Sequence, residues 1–203
     1  AGLEKNDEDG TGNLVIKDDT KDGGSLTANG GDNAAGIGSG CYGDAKNIRI
    51  SGGDITANAG GAGAGIGCGE WGKLADITIT GGTIRATGDT GIGGGEQSED
   101  VKITITGGNI EKAEGDDGAG IGTGYNSDGN LTLKISGEDT KVNATSNDGA
   151  GIGSGDDGDM SGSITISGNA QVTAGSGWDG AGIGAGDSAS DPQKSEMSGT
   201  ITI

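Results

Sequence analysis

Histidine and phenylalanine are absent from this 203-residue chain, proline occurs once, and cysteine, tryptophan and tyrosine occur twice each. Without histidine the chain cannot build a Ser-His-Asp or Cys-His catalytic arrangement, and zinc loses its commonest nitrogen ligand. Two cysteines without a CxxC spacing make neither a disulfide framework nor a redox motif. Only 29% of residues are hydrophobic and 2% aromatic, too few to offset the entropy of ordering around one thick core. Basic residues are also scarce, 12 against 31 acidic for a net charge of −19. That balance argues against nucleic acid and anionic membrane surfaces, which need a basic stripe. No apolar run approaches a membrane span, so membrane insertion is not expected.

What the chain has is glycine, 50 residues of it, without the strict third-residue period of collagen. Six isoleucines, Ile37, Ile66, Ile92, Ile121, Ile152 and Ile183, recur in settings such as GAGIGSG and GAGIGTG at intervals of 29, 26, 29, 31 and 31 residues. A fixed period of this length signals a solenoid, in which each turn buries a few small aliphatic residues against its neighbours. Within each period a strand alternates apolar and polar residues, as in Ile77-Thr78-Ile79 and Ile164-Thr165-Ile166. A glycine-rich corner follows, then a second strand such as Ile55-Thr56-Ala57 or Val172-Thr173-Ala174, a polar turn, and the glycine-isoleucine segment. β-Branched residues at alternate positions favour strands, and glycine at this density would cost a helical solenoid about 1 kcal/mol per residue.

The expected fold is all-β: a right-handed parallel β-helix of about six to seven turns of roughly 29 residues, with three short strands per turn stacked about 4.8 Å apart. Residues 1–203 are expected to form a single domain, with 1–13 as lead-in and 14–203 as repeats. The chain opens on AGLEKNDEDG and stops at SGTITI, partway into a seventh repeat, so it reads as a fragment of a longer protein. Open ends of such a solenoid expose strand edges, and end-to-end self-association of the fragment is expected.

The GAGIGxG runs, each followed by a polar loop, an ITISGG-like strand and an xVTA or xITA strand, resemble the β-helical repeats of large secreted or wall-anchored proteins of Gram-positive, often gut-dwelling, bacteria. The resemblance covers Gly24 to Ile203. It implies an extracellular, secreted or wall-attached setting and a role in adhesion or carbohydrate binding, with a glycan or host surface ligand as partner. Related β-helices include polysaccharide lyases and hydrolases. No functional residue is carried over, because the shared motif is the structural one.

Three positions could carry function. Four residues before each isoleucine stand Asn33, Ala62, Asp117, Asp148 and Asp179, with Asp89 in the shortened third repeat, and Asp156, Asp157 and Asp159 form a second acidic loop. Stacked like charges repel. Either a cation bridges them, calcium being the one that suits an all-oxygen donor set, or each carboxylate caps local backbone N–H groups. The second candidate is aromatic. Tyr42 and Trp71 each lie five residues past an isoleucine, Tyr125 four past, and Trp178 sits before the last glycine segment. Such rings stack on sugars, or on one another as a ladder. Third, the Thr78, Thr80, Thr104, Thr106, Thr165 and Ser167 face could present a hydroxyl array, although Arg49 and Lys134 interrupt it. The flanking glycines either hold corners that need φ > 0 or form a bare contact face. Cys41 and Cys68, two positions out of register, sit at the limit of disulfide reach.

The reading is a non-catalytic adhesion or carbohydrate-binding module that contacts ligand through Tyr42, Trp71, Tyr125 and Trp178. The alternatives are a structural spacer and, third, a polysaccharide-active lyase or hydrolase using Arg49 or Arg85 beside aspartates. Uniform turn length, which leaves no long active-site loops, leans away from catalysis.

Overall fold

The computed structural model describes residues 1–5, 12–19, 23–188 and 196–203. Every strand pair among them is parallel, and each strand joins its equivalent in the next turn. Three columns result. The first holds Leu14–Ile16, the N-terminal halves of Ala45–Asn58 and Leu74–Gly88, then Asp100–Ile105, Asn130–Ile135, Ser161–Ile166 and Thr200–Thr202. The second holds Ser25–Asn29, the C-terminal halves of the same two long strands, Asn109–Gly115, Lys141–Ser146 and Gln171–Ser176. In Ala45–Asn58 and Leu74–Gly88 the chain stays extended through the glycine corner, which merges these columns into one 11-stranded sheet. The third column is a separate 7-stranded sheet, Leu3–Glu4 followed by the six glycine-isoleucine segments. No helix among the described residues is long and apolar enough to cross a membrane.

Register explains the composition. Ile48, Ile77, Ile103, Leu133 and Ile164 stack in one interior line, and Ile55, Ile84, Ile110 and Val142 in another. The six segment isoleucines form a third. Almost all are fully buried, each worth roughly 1.5–3 kcal/mol by transfer out of water. One residue type repeated in one place thus builds a continuous core without aromatics. Buried hydroxyls two residues past the isoleucines fit the same logic. Ser39, Thr123 and Ser154 accept from the N–H groups of Gly69, Gly155 and Gly186 one turn on, at 3.1, 3.4 and 3.0 Å.

The glycines beside the isoleucines are buried, except the half-buried Gly182 in the last segment, and form no bare contact face. Those that follow Ile37, Ile66, Ile92, Ile121, Ile152 and Ile183 have φ between +141° and +149°, a region that excludes side chains. A Cβ on Gly122 would lie 1.9 Å from the carbonyl oxygen of Gly153, and one on Gly120 would meet the Thr145 backbone at 2.6 Å. Backbone here packs directly on backbone, against the next turn and against the end of the second column.

Candidate functional site

The two polar turns that flank each glycine segment lie side by side, and hydrogen bonds between turns join them. Four residues past the isoleucine, the N–H groups of Glu70, Glu96, Asp156 and Asp187 donate to the carbonyls of Asn33, Ala62, Asp117 and Asp148 of the preceding turn, at 3.1, 2.8, 2.7 and 3.1 Å. One residue further on, Tyr42, Trp71, Gln97, Asn126 and Asp157 all adopt the left-handed conformation, with φ from 49° to 62° across the non-glycine residues of positive φ. Their N–H groups donate to the carbonyls of Glu70, Glu96, Tyr125, Asp156 and Asp187 in the following turn, at 2.7–3.0 Å. Acidic and aromatic candidates thereby fall on one edge of the solenoid. Asn126 and Asp157 are ordinary occupants of a left-handed corner, whereas bulky Tyr42 and Trp71 are strained there.

Of the four candidate aromatics the fold pairs two. The rings of Tyr42 and Trp71 stack with centroids 6.3 Å apart and planes inclined by 11°, yet 75% of Tyr42 and 43% of Trp71 remain exposed. Glu70 holds the Trp71 side of the pair: its carboxylate accepts from Trp71 Nε1 at 2.9 Å, from Asn33 Nδ2 and, at 3.7 Å, from the Cys41 thiol. Tyr125 is half-buried among the acids, with its hydroxyl pushed up by burial and by the charges of Asp157, Asp156, Glu96 and Asp117. Trp178 is exposed in the turn preceding its segment, where its N–H donates to the Asn147 carbonyl at 3.0 Å, and it takes no part in the stack.

The acids divide by role. Asp117 is raised above the usual carboxylate range by partial burial, by the charges of Asp116 and Asp148, and by a hydrogen bond with Asp148. Asp156 is pushed up to about 6 by burial and by Asp157, with Asp187 and Asp148 adding to it. Asp117 and Asp156 thus hold their protons more tightly than isolated carboxyls do. Asp157 is buried and Asp179 is exposed. Asp159 lies off the edge: its carboxylate caps the N–H of Glu196 at 2.9 Å, as that of Asp44 caps Lys73 and Leu74 at 2.9 and 3.1 Å. Among the described residues no group of three or more Asp, Glu or Cys side chains is arranged to hold a metal ion.

Asp89 was visible in the sequence only as a misfit of the short third repeat. It is 6% exposed, and its carboxylate accepts from the Tyr125 N–H at 3.2 Å and the Thr90 hydroxyl at 3.3 Å. In other turns a backbone carbonyl takes the equivalent N–H. The third repeat lacks that peptide, and a side chain replaces it. Burial pushes this carboxyl up to about 8, with Glu96 and Asp117 adding to the shift and the two hydrogen bonds opposing it. The 26-residue interval was the signal that some group had to make good the missing carbonyl.

Other candidates have structural roles. Cys41 and Cys68 are both free thiols, one exposed and one in the core. Burial pushes the Cys68 thiol up to about 12. Arg85 is held between Asp54, at 2.6 Å, and Glu111. In the outer line of the first column Arg49, Thr78, Thr104, Lys134 and Thr165 alternate, so no continuous threonine array forms. A surface hollow of about 600 Å³ lies at the glycine corner between the first two columns, walled mainly by the backbone of Gly24, Gly53 and Gly82.

Stacked parallel columns with one repeat per turn define a parallel β-solenoid. A sequence-family model described as a beta helix repeat matches residues 22–41, 48–70, 77–96, 103–125, 133–156 and 164–187. Together these cover more than half of the chain, which belongs to this family and is a structural repeat domain. No curated protein and no solved structure matches it. Each matched segment ends on the fourth residue past its isoleucine, one short of the left-handed position. Tyr42 and Trp71 thus lie outside the family pattern.

Proposed function

We propose that this repeat domain is a non-catalytic glycan-binding module, part of an adhesive protein secreted by or attached to the wall of a bacterium. The observation that carries the reading is the exposed Tyr42–Trp71 stack at two consecutive strained corners, held by Glu70 and Asn33. A left-handed conformation costs a bulky residue of order 1–3 kcal/mol and persists where the surroundings impose it. Asn126 and Asp157 show that residues suited to the conformation occupy the same place elsewhere. Large exposed rings at such positions serve contact with a ligand better than they serve the fold. The extracellular setting rests on the GAGIG-type resemblance.

The test is tryptophan fluorescence and calorimetric titration against a panel of plant and mucin glycans, with Tyr42→Ala and Trp71→Ala alongside. Binding to at least one neutral or basic glycan, weakened by either substitution, is expected. A structural spacer is the second reading, favoured by interior lines that repeat without local exception from turn to turn. It takes the lead if no glycan binds, or if binding survives loss of both rings.

A further inference from the structure

The groups around the stacked pair narrow the class of sugar. Resting on the glycan reading, we infer that the Tyr42–Trp71 site takes a hexosamine glycan with free, protonated amino groups, one sugar face lying on the exposed aromatic surface and its ammonium set between Glu70 and Glu96. Glu70 presents its carboxylate beside Trp71, and Glu96 stands one turn further along the same line. No lysine or arginine occupies the positions four before, four after or five after the isoleucines. A uronic acid or sulfated sugar would therefore meet carboxylates at these positions, and the basic residue nearest to Trp71 in sequence, the exposed Lys73, lies two residues beyond it. An ammonium gains twice, from charge-assisted hydrogen bonds to carboxylate and from the π faces of Trp and Tyr. Glu70 Oε2 already accepts from Asn33 and, at 3.7 Å, from the Cys41 thiol, whereas Oε1 accepts from Trp71 and retains a second lone pair for an incoming donor.

The electrostatics of the free protein agree. Glu96 is raised above its usual range by burial and then by the charge of Glu70, with Asp117 adding to it. Like charges in neighbouring turns repel, and a bound ammonium relieves that repulsion where a neutral acetamide does not. N-Acetylation of the sugar would remove this gain while leaving the ring face unchanged.

The experiment compares four oligosaccharides of equal length near neutral-to-acid pH: β-linked glucosamine, its fully N-acetylated twin, the glucose analogue and oligogalacturonate, with spermine as a polycation control. Titrations are run on the whole chain and on Glu70→Gln and Trp71→Ala, after circular dichroism confirms the β fold of each. The glucosamine oligomer is expected to bind about tenfold or more tighter than its acetylated twin, as one charge-assisted contact implies, and oligogalacturonate not at all. Glu70→Gln should erase the preference while sparing the acetylated ligand, and Trp71→Ala should weaken both. Equal affinity for the free and acetylated oligomers overturns the amino-sugar inference and leaves the glycan reading standing. Glucosamine binding that is matched by spermine and insensitive to Trp71→Ala is polycation adsorption and overturns it as well. If no oligosaccharide binds, both readings fall.

Discussion

Replacing Asp89 with asparagine isolates the one buried carboxyl that substitutes for a missing peptide group. An amide keeps an oxygen to accept from the Tyr125 N–H and removes the charge. In the folded chain the aspartate holds its proton until about pH 8, against an ordinary value of 3.8. The unfolded chain releases that proton near 4, so between the two values the folded state binds more protons and stability falls as pH rises. The loss is about 1.4 kcal/mol per pH unit in that window. From about pH 5 to about pH 7 the native protein should therefore lose roughly 3 kcal/mol relative to Asp89→Asn. For a domain of this size that is roughly 5–10 °C in Tm. Glu96, Asp117 and Asp156 are shifted in the same direction, but they are present in both proteins and largely cancel in the difference. The assay is thermal unfolding by circular dichroism over this pH range, with Asp89→Ala as a third arm. Alanine leaves the Tyr125 N–H without its partner and should cost about 1–3 kcal/mol where asparagine does not. Parallel pH profiles for the native chain and Asp89→Asn would mean that the carboxyl ionises freely in the folded protein, and the account of the shortened turn would be wrong.

Three further outcomes follow from the geometry. Trp71→Asn should leave stability unchanged or raise it by about 1 kcal/mol, because relief of backbone strain outweighs an aromatic contact worth roughly 0.5–1.5 kcal/mol; a drop of several degrees in Tm would show that the ring supports the fold. Gly122→Ala should destabilise severely, since its Cβ would stand 1.9 Å from the Gly153 carbonyl oxygen at a φ of +149°; a Tm close to that of the native protein would refute the backbone-to-backbone packing. Excess calcium against chelator should leave Tm unmoved, because the edge carboxylates form no metal-holding group among the described residues; a shift lost in Asp148→Asn would restore the cation.

The columns were legible from spacing because the core is made by repetition. One isoleucine per turn, stacked on its copy, leaves a period that any alignment of the chain with itself exposes. Corner geometry leaves almost no such mark. Tyr42, Trp71, Gln97, Asn126 and Asp157 share one backbone conformation but no side-chain chemistry, and only Asn126 and Asp157 are residues whose identity suggests it. The placement of Asp117 and Asp148 beside Asp156 and Asp187 was hidden for another reason. It depends on the glycine segment being narrow enough for its two flanking turns to touch, a distance set by buried glycine backbone. Asp159, adjacent in sequence to the same acids, faces elsewhere because its turn has already begun the next first-column strand.

The interior of this solenoid follows the local rules: alternation in strands, aliphatic side chains stacked in register, and glycine at the positive-φ position after each segment isoleucine. Departures from those rules are concentrated on a single edge. Bulky rings occupy left-handed corners, carboxylates stand in line from turn to turn, and a buried acid stands in for a peptide carbonyl. A chain whose only task was to extend would gain stability by placing asparagine or glycine at Tyr42 and Trp71 and by interleaving lysine among the acids. Selection for spacing alone gives no reason to keep strain and like charge together. Under the proposed glycan-binding function, their coincidence with the exposed aromatic surface ties the edge to a ligand, and charge relief by that ligand would be part of the binding energy.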